Sequence, residues 1–145
     1  MPKTQDSASS RFRLASIAVA LAATGCGNDD GQDEADRIGV AAECTVNDEC
    51  PSAFRGETPV ELICLRDFKG GYCGVVGCRQ GGDCPDASAC IAHTDGNNYC
   101  FHTCTEKVDC NANRTPDNEA NCSSNVTFVD DATKTKACIP PSSSS

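Results

Sequence analysis

The chain has 145 residues, 13 of them cysteines, and a formal net charge of −9 at pH 7. Between Cys44 and Cys138 it has only 15 Leu, Ile, Val and Phe residues, and there is no Trp, so cross-links must supply what burial cannot and the large apolar pocket of a typical enzyme is not expected. The regular cysteine spacing argues against a disordered acidic chain, and 20 acidic against 9 basic residues from Cys26 onward repel a phosphate backbone, which argues against nucleic acid as a partner.

Residues 1–25 read as an export signal. Lys3, Arg11 and Arg13 form a positive segment, Leu14 to Ala23 is an uncharged run of small and apolar residues, and Ala23, Thr24 and Gly25 put small residues just before Cys26. The apolar run is too short to span a bilayer as a stable helix. The stretch LAATGC resembles the lipobox of bacterial lipoproteins. That resemblance implies cleavage before Cys26, diacylation of Cys26 and acylation of the new N-terminus, with the membrane as a partner through the lipid. Gly27 after the lipidated residue implies export onward to the outer membrane, on its periplasmic or surface side. Two or three acyl chains, at about 0.8 kcal/mol per buried methylene, make a lasting anchor where one alone is marginal. Setting Cys26 aside also leaves 12 cysteines, an even number suited to disulfides.

Residues 26–43 follow as a tether. The stretch GNDDGQDEADRIGVAAE carries six acids and one base, a composition expected to stay extended and self-repelling. Its acids lack the glycine and terminal glutamate of a calcium loop, so no metal is expected there.

Three four-cysteine units come next, at residues 44–73, 74–103 and 104–138. Their cysteines are Cys44, Cys50, Cys64 and Cys73; Cys78, Cys84, Cys90 and Cys100; and Cys104, Cys110, Cys122 and Cys138. The openings CTVNDEC, CRQGGDC and CTEKVDC share one spacing, with an acid (Glu49, Asp83, Asp109) before the second cysteine. Such an acid can be a ligand, but a carboxylate accepting backbone N–H bonds in a tight turn is the reading preferred here. Between second and third cysteines unit two has five residues, whereas unit one has the thirteen of PSAFRGETPVELI and unit three the eleven of NANRTPDNEAN. Phe54 and Arg55, beside Gly56, are of types enriched at contact hot spots and are the candidate binding residues. The alternative is that Phe54, Val60, Leu62 and Ile63 fold back as a substitute core.

Each unit should close with a hairpin. Asp95-Gly96 marks a two-residue turn in unit two, and a turn near Asp130-Asp131 is expected in unit three. These turns would place Cys90 opposite Phe101 and Cys122 opposite Ile139; a three-residue loop centred on Lys69 would place Cys64 opposite Gly74. Residues 139–145 read as an unstructured tail.

The openings are similar to those of the N-terminal cysteine-rich module of Dickkopf proteins and of whey-acidic-protein modules, in which an Asp usually stands three residues after the first cysteine; here Asn47, Gly81 and Lys107 hold that position. Unit two also resembles the first four cysteines of an epidermal-growth-factor module. That resemblance implies pairing of first with third and second with fourth: Cys78 with Cys90 and Cys84 with Cys100, and likewise in the other units.

No cysteine pair is separated by two residues, and the histidines are only His93 and His102, so neither zinc nor thioredoxin-like chemistry is expected and no cofactor is implied. No G-x-S-x-G motif is present, and an enzyme is not expected. The sequons at Asn113, Asn121 and Asn125 read as chance matches beside a lipobox. The fold expected is small and disulfide-rich, three short β-hairpin modules with little regular secondary structure and a minimal core. The function expected is binding or adhesion at the cell envelope, to a protein or glycan partner. The alternatives are a small protease inhibitor or a purely structural envelope component.

Overall fold

A computed structural model of the chain describes residues 39–130 and 136–143; Cys26 lies outside them. Cysteines, glycines and prolines interrupt the sequence too often for an apolar helical stripe, and isolated helices shorter than about 12 residues are marginal. The described residues accordingly form short strands and single 3-10 turns. The strands are β1 (Ala53–Arg55), β2 (Thr58–Val60), β3 (Ile63–Cys64), β4 (Cys73–Val76), β5 (Ser88–Ala92), β6 (Asn98–His102), β7 (Asn121–Ser123), β8 (Thr127–Phe128) and β9 (Ala137–Ile139). The protein is a small disulfide-rich β fold. No helix among the described residues is long and apolar enough to cross a membrane.

All strand pairs are antiparallel. Strands β1 and β2 form one hairpin, β7 and β9 form a second ribbon, and a five-stranded sheet runs in the order β3-β4-β6-β5-β8. That sheet draws on all three units. β4 crosses the boundary drawn at residue 73, pairing through Ile63 and Gly74 on one side and through Val75 and Cys100 on the other. β8 leaves unit three to pair Phe128 with Ile91.

The six disulfides join first to third and second to fourth cysteine in every unit, the pairing that the growth-factor resemblance implies. Their Cα separations nearly coincide across units, at 5.7, 5.9 and 5.8 Å for the first bridges and 5.3, 5.4 and 5.3 Å for the second.

The hairpin registers differ from expectation by one residue. Cys64 faces Cys73 rather than Gly74, Cys90 faces Cys100 rather than Phe101, and Cys122 faces Cys138 rather than Ile139. The cause is the loops. In unit two His93 N donates to Asn97 O at 2.8 Å and Gly96 takes φ +90°, which makes a three-residue loop closed by a left-handed glycine instead of a two-residue turn. In unit one Leu65 N donates to Tyr72 O, so the loop holds six residues and centres between Phe68 and Lys69. It bends through Gly70 and Gly71, both left-handed, and a Cβ on Gly71 would stand 2.0 Å from Cys44 O. In unit three the excursion of β8 interrupts the hairpin.

Four of the scarce aromatics meet in one place. Phe68, Tyr72, Tyr99 and Phe101 are buried together with ring centroids 5.2 to 6.2 Å apart, mostly edge to face. Leu65, Ile91 and Ala137 complete this core, with half-buried Ile63, Phe128 and Ile139 against it. A smaller cluster packs Val40, Ala53 and Leu62 on the bridges of unit one.

Two expected boundaries are corrected. The tether was to run to residue 43, yet Val40 and Ala41 are buried, with Ala41 N donating to Cys73 O at 3.0 Å and Cys73 N to Ala42 O at 2.9 Å. The tail was to be unstructured from residue 139, yet Pro140 is fully buried, Lys69 N donates to Pro141 O, and Ser143 donates through N to Asp67 O and through Oγ to Arg66 O. The physical reason is the same at both ends: open backbone groups of unit one, at Cys73 on β4 and along the loop that precedes it, take up a neighbouring segment.

Arg114, from the polar insert of unit three, ties these pieces together. Its guanidinium donates to Asn118 O at 2.7 Å, Ala41 O at 3.1 Å, Gly71 O at 3.0 Å and Lys69 O at 2.7 Å, and lies 5.9 Å from the Tyr72 ring centroid. Burial pushes its pKa down, against the pull of Glu43 and Tyr72. Glu43 in turn accepts from Thr115 N and Oγ1. Replacing Arg114 with Met strips charged donors from carbonyls of three segments, each such bond contributing about 1.5–3 kcal/mol. We expect Arg114→Met to lower the thermal midpoint by roughly 10 °C or more; an unchanged midpoint would remove Arg114 from this role.

Candidate functional site

The three openings are built alike. Glu49 accepts from Thr45 N at 2.6 Å and Val46 N at 3.4 Å; Asp83 from Arg79 N at 2.8 Å and Gln80 N at 3.2 Å; Asp109 from Thr105 N at 2.8 Å and Glu106 N at 3.0 Å. Each carboxylate thus closes a 3-10 turn by satisfying backbone donors at its start, as a capping box does. These bonds hold Glu49 and Asp83 below their usual carboxylate range; for Asp109 burial raises the pKa, but the bonds from Glu106 and Thr105 outweigh it. The acids are committed to the turns. Asn47, three residues after Cys44, accepts from Cys64 N at 3.0 Å and joins the first opening to β3.

The insert of unit one divides. Ala53 and Leu62 are buried, Ile63 packs on the aromatic core and Val60 is half-buried, whereas Phe54 keeps 45% of its surface exposed. The substitute-core reading therefore holds for Leu62 and Ile63 but not for Phe54. Between these roots β1 and β2 project as a hairpin whose turn starts at Gly56, φ +57°, the left-handed residue that a tight two-residue turn favours there. Phe54 stands across from exposed Pro59 on the outer face, and exposed Arg55 across from Thr58.

Asp86 of unit two holds this hairpin from outside. Its N–H donates to Phe54 O at 2.8 Å and its Oδ2 accepts from Gly56 N at 2.8 Å, so one residue grips the backbone on both sides of Arg55. On the other strand Pro59 has no N–H to offer a further strand. Both edges of the hairpin are thereby blunted against strand addition. What remains for a partner is side chain: the Phe54–Pro59 pair and Arg55.

A second polar constellation lies in unit two. His93 Nδ1 is 3.3 Å from Asp95 Oδ2, and Tyr99 donates its hydroxyl to the same oxygen at 2.8 Å. Burial, reinforced by Asp95, pushes the Tyr99 hydroxyl up to about 12. His93 and Asp95 border a cleft of about 420 Å3 with Asp67, Phe68 and Ser142. His102 is buried, with its N–H donating to the Tyr72 hydroxyl at 3.0 Å.

Among the described residues, the groups of three His, Cys, Asp or Glu side chains close enough to hold an ion are three cysteine trios, the first, second and fourth cysteines of each unit, with sulfurs within 4.8 Å. Every one of those sulfurs is in a disulfide and offers no thiolate to a metal.

Comparisons with protein-family models, with characterised proteins and with solved structures found no match.

Of the candidate binding residues, the structure exposes both Phe54 and Arg55, at consecutive positions of β1. Sequence reading missed their supports, Asp86 and Pro59. Pro59 carried a signal, since a proline in a short strand marks an edge; Asp86, 30 residues away from Gly56, carried none.

The opening acids set a pH dependence. Their folded pKa values lie below the ordinary 4.5 for Glu49 and 3.8 for Asp83 and Asp109, so their stabilisation is full above the unfolded values and lost as pH falls through the folded ones. The thermal midpoint is expected to hold from neutrality to about pH 5 and fall below about pH 4. A Glu49→Gln, Asp83→Asn, Asp109→Asn variant should start lower and show a flatter acid limb; an acid limb as steep as the parent's would rule these turns out as its source.

Proposed function

We propose that this is an exported, lipid-anchored, non-enzymatic protein of the bacterial cell envelope, at the outer membrane, that displays three repeated disulfide-stapled modules for binding or adhesion to a protein or glycan. One observation carries the reading: all twelve cysteines from Cys44 to Cys138 are consumed in six internal bridges. Such a set persists only in an oxidising compartment, which requires export. It also leaves Cys26 as the odd cysteine, and the lipobox that surrounds it explains why a secreted chain carries one.

The contact surface in this reading is the β1–β2 hairpin. Among the described residues Phe54 is the one phenylalanine kept out of the core, with 45% of its surface exposed, and exposing it next in sequence to Arg55 on a braced backbone keeps the entropy cost of binding low. The left-handed bend at Gly56 breaks the extended run that a protease cleft would need around Arg55, so binding is favoured over inhibition.

Two measurements test the proposal. Replacing Cys26 with Ala should leave the precursor uncleaved and abolish lipid labelling in the membrane fraction; a normally labelled Cys26→Ala protein would end the lipoprotein reading. Phe54→Ala and Arg55→Ala should each weaken association with cell or envelope surfaces by roughly tenfold or more, the size of a hot-spot loss, at an unchanged melting temperature. A lowered melting temperature for Phe54→Ala with association intact would return that residue to packing.

A further inference from the structure

The twelve paired cysteines are not equally protected. Ten are buried, including all four of unit two, while Cys50 in unit one and Cys122 in unit three are half-buried. A thiolate opens a disulfide by reaching one of its sulfurs, so access decides which bridge reacts first. The position of Cys50 gives this consequence for the binding hairpin. The insert that carries Phe54 and Arg55 runs from Cys50 to Cys64, and its two ends are pinned by the bridges Cys50–Cys73 and Cys44–Cys64. Opening the first frees the end that leads directly into β1.

We infer that Cys50–Cys73 is a redox-sensitive clasp on the β1–β2 hairpin, opened by a dithiol ahead of the bridges of unit two and thereby loosening the display of Phe54 and Arg55. The chemistry balances within the pair. One thiolate of the dithiol attacks Cys50 Sγ, forming a mixed disulfide, and Cys73 departs as a thiolate. The second thiol of the reagent then closes its own disulfide and releases Cys50, so the dithiol is oxidised and the bridge reduced by two electrons. The freed Cys73 sulfur lies within 4.8 Å of Cys44 Sγ. It can attack there to form Cys44–Cys73, with Cys64 leaving as the thiolate, an exchange that needs no further reductant. In unit three the half-buried Cys122 makes Cys104–Cys122 the counterpart early bridge. The regulatory consequence rests on the hairpin being the contact surface; the order of opening does not.

The test uses the oxidised full chain, a limiting amount of dithiothreitol at pH 8, quenching by alkylation, and peptide mapping. The first alkylated cysteines should be Cys50, together with Cys73 or Cys64, and Cys122 with Cys104, at least roughly tenfold ahead of Cys78, Cys84, Cys90 and Cys100. Unit-two cysteines labelled as early as Cys50, or all twelve together, would overturn the order. Hydrogen exchange on the same partly reduced species should quicken over residues 53–60 and stay unchanged over 88–92 and 98–102; unchanged exchange over 53–60 would overturn the clasp. Neither readout involves a binding partner, so failure here is distinct from failure of the adhesion reading.

Discussion

In each unit two cysteines face one another across a pair of strands and yet do not bond to each other. Cys64 and Cys73, Cys90 and Cys100, and Cys122 and Cys138 are cross-strand neighbours, and each reaches instead to one of the two cysteines of the opening. The opening is therefore bolted across the strand pair at two adjacent points. This constraint substitutes for burial. Each bridge contributes typically 2–4 kcal/mol by restricting the unfolded chain, in a protein whose aromatic core amounts to four rings. Because the bolts lie beside the capped 3-10 turns, the turns, strands and bridges of a unit hold the same geometry although the inserts between them differ.

The units do not stand alone. The five-stranded sheet, the aromatic core and Arg114 all cross the unit boundaries, and the segments flanking the cysteine array at residues 39–43 and 140–143 close against unit one. Each device compensates for short strands that could not be stable separately. Arg114 illustrates the economy of the fold: one side chain satisfies carbonyls in the unit-one loop, in the segment before Cys44 and in its own insert. The hairpin is braced in the same way, through Asp86 of the neighbouring unit. Rigidity at Phe54 and Arg55 is thus a property of two units joined, not of one.

The bridges and the opening turns were legible in the sequence because both are local and repeated. Cysteine spacing set the units, the resemblance of unit two to a growth-factor module supplied the pairing, and an acid at a constant position pointed to a turn. The fold class followed from composition. What escaped depends on loops and on long-range partners. A single left-handed glycine, Gly96, moves the centre of a hairpin by half a residue and shifts every facing pair. The departure of β8 to Ile91 depends on where Phe128 finds apolar contact. Arg114 sits in an insert with no hydrophobic residue larger than Ala, so nothing in its neighbourhood marks it as a strut. Of the candidate contact surface, the residue types at Phe54 and Arg55 were readable, whereas exposure and bracing required the fold.

The central claim is that six bridges, first to third and second to fourth in each unit, make the structure, with Cys26 outside the set. Disulfide mapping of the oxidised protein, by proteolysis without reduction and mass spectrometry of the linked peptides, tests it most directly. The account predicts Cys44–Cys64, Cys50–Cys73, Cys78–Cys90, Cys84–Cys100, Cys104–Cys122 and Cys110–Cys138, and no peptide joining Cys26 to another cysteine. A bridge between the facing cysteines of one strand pair, a bridge between units, or a stoichiometric metal bound to free thiolates would contradict it.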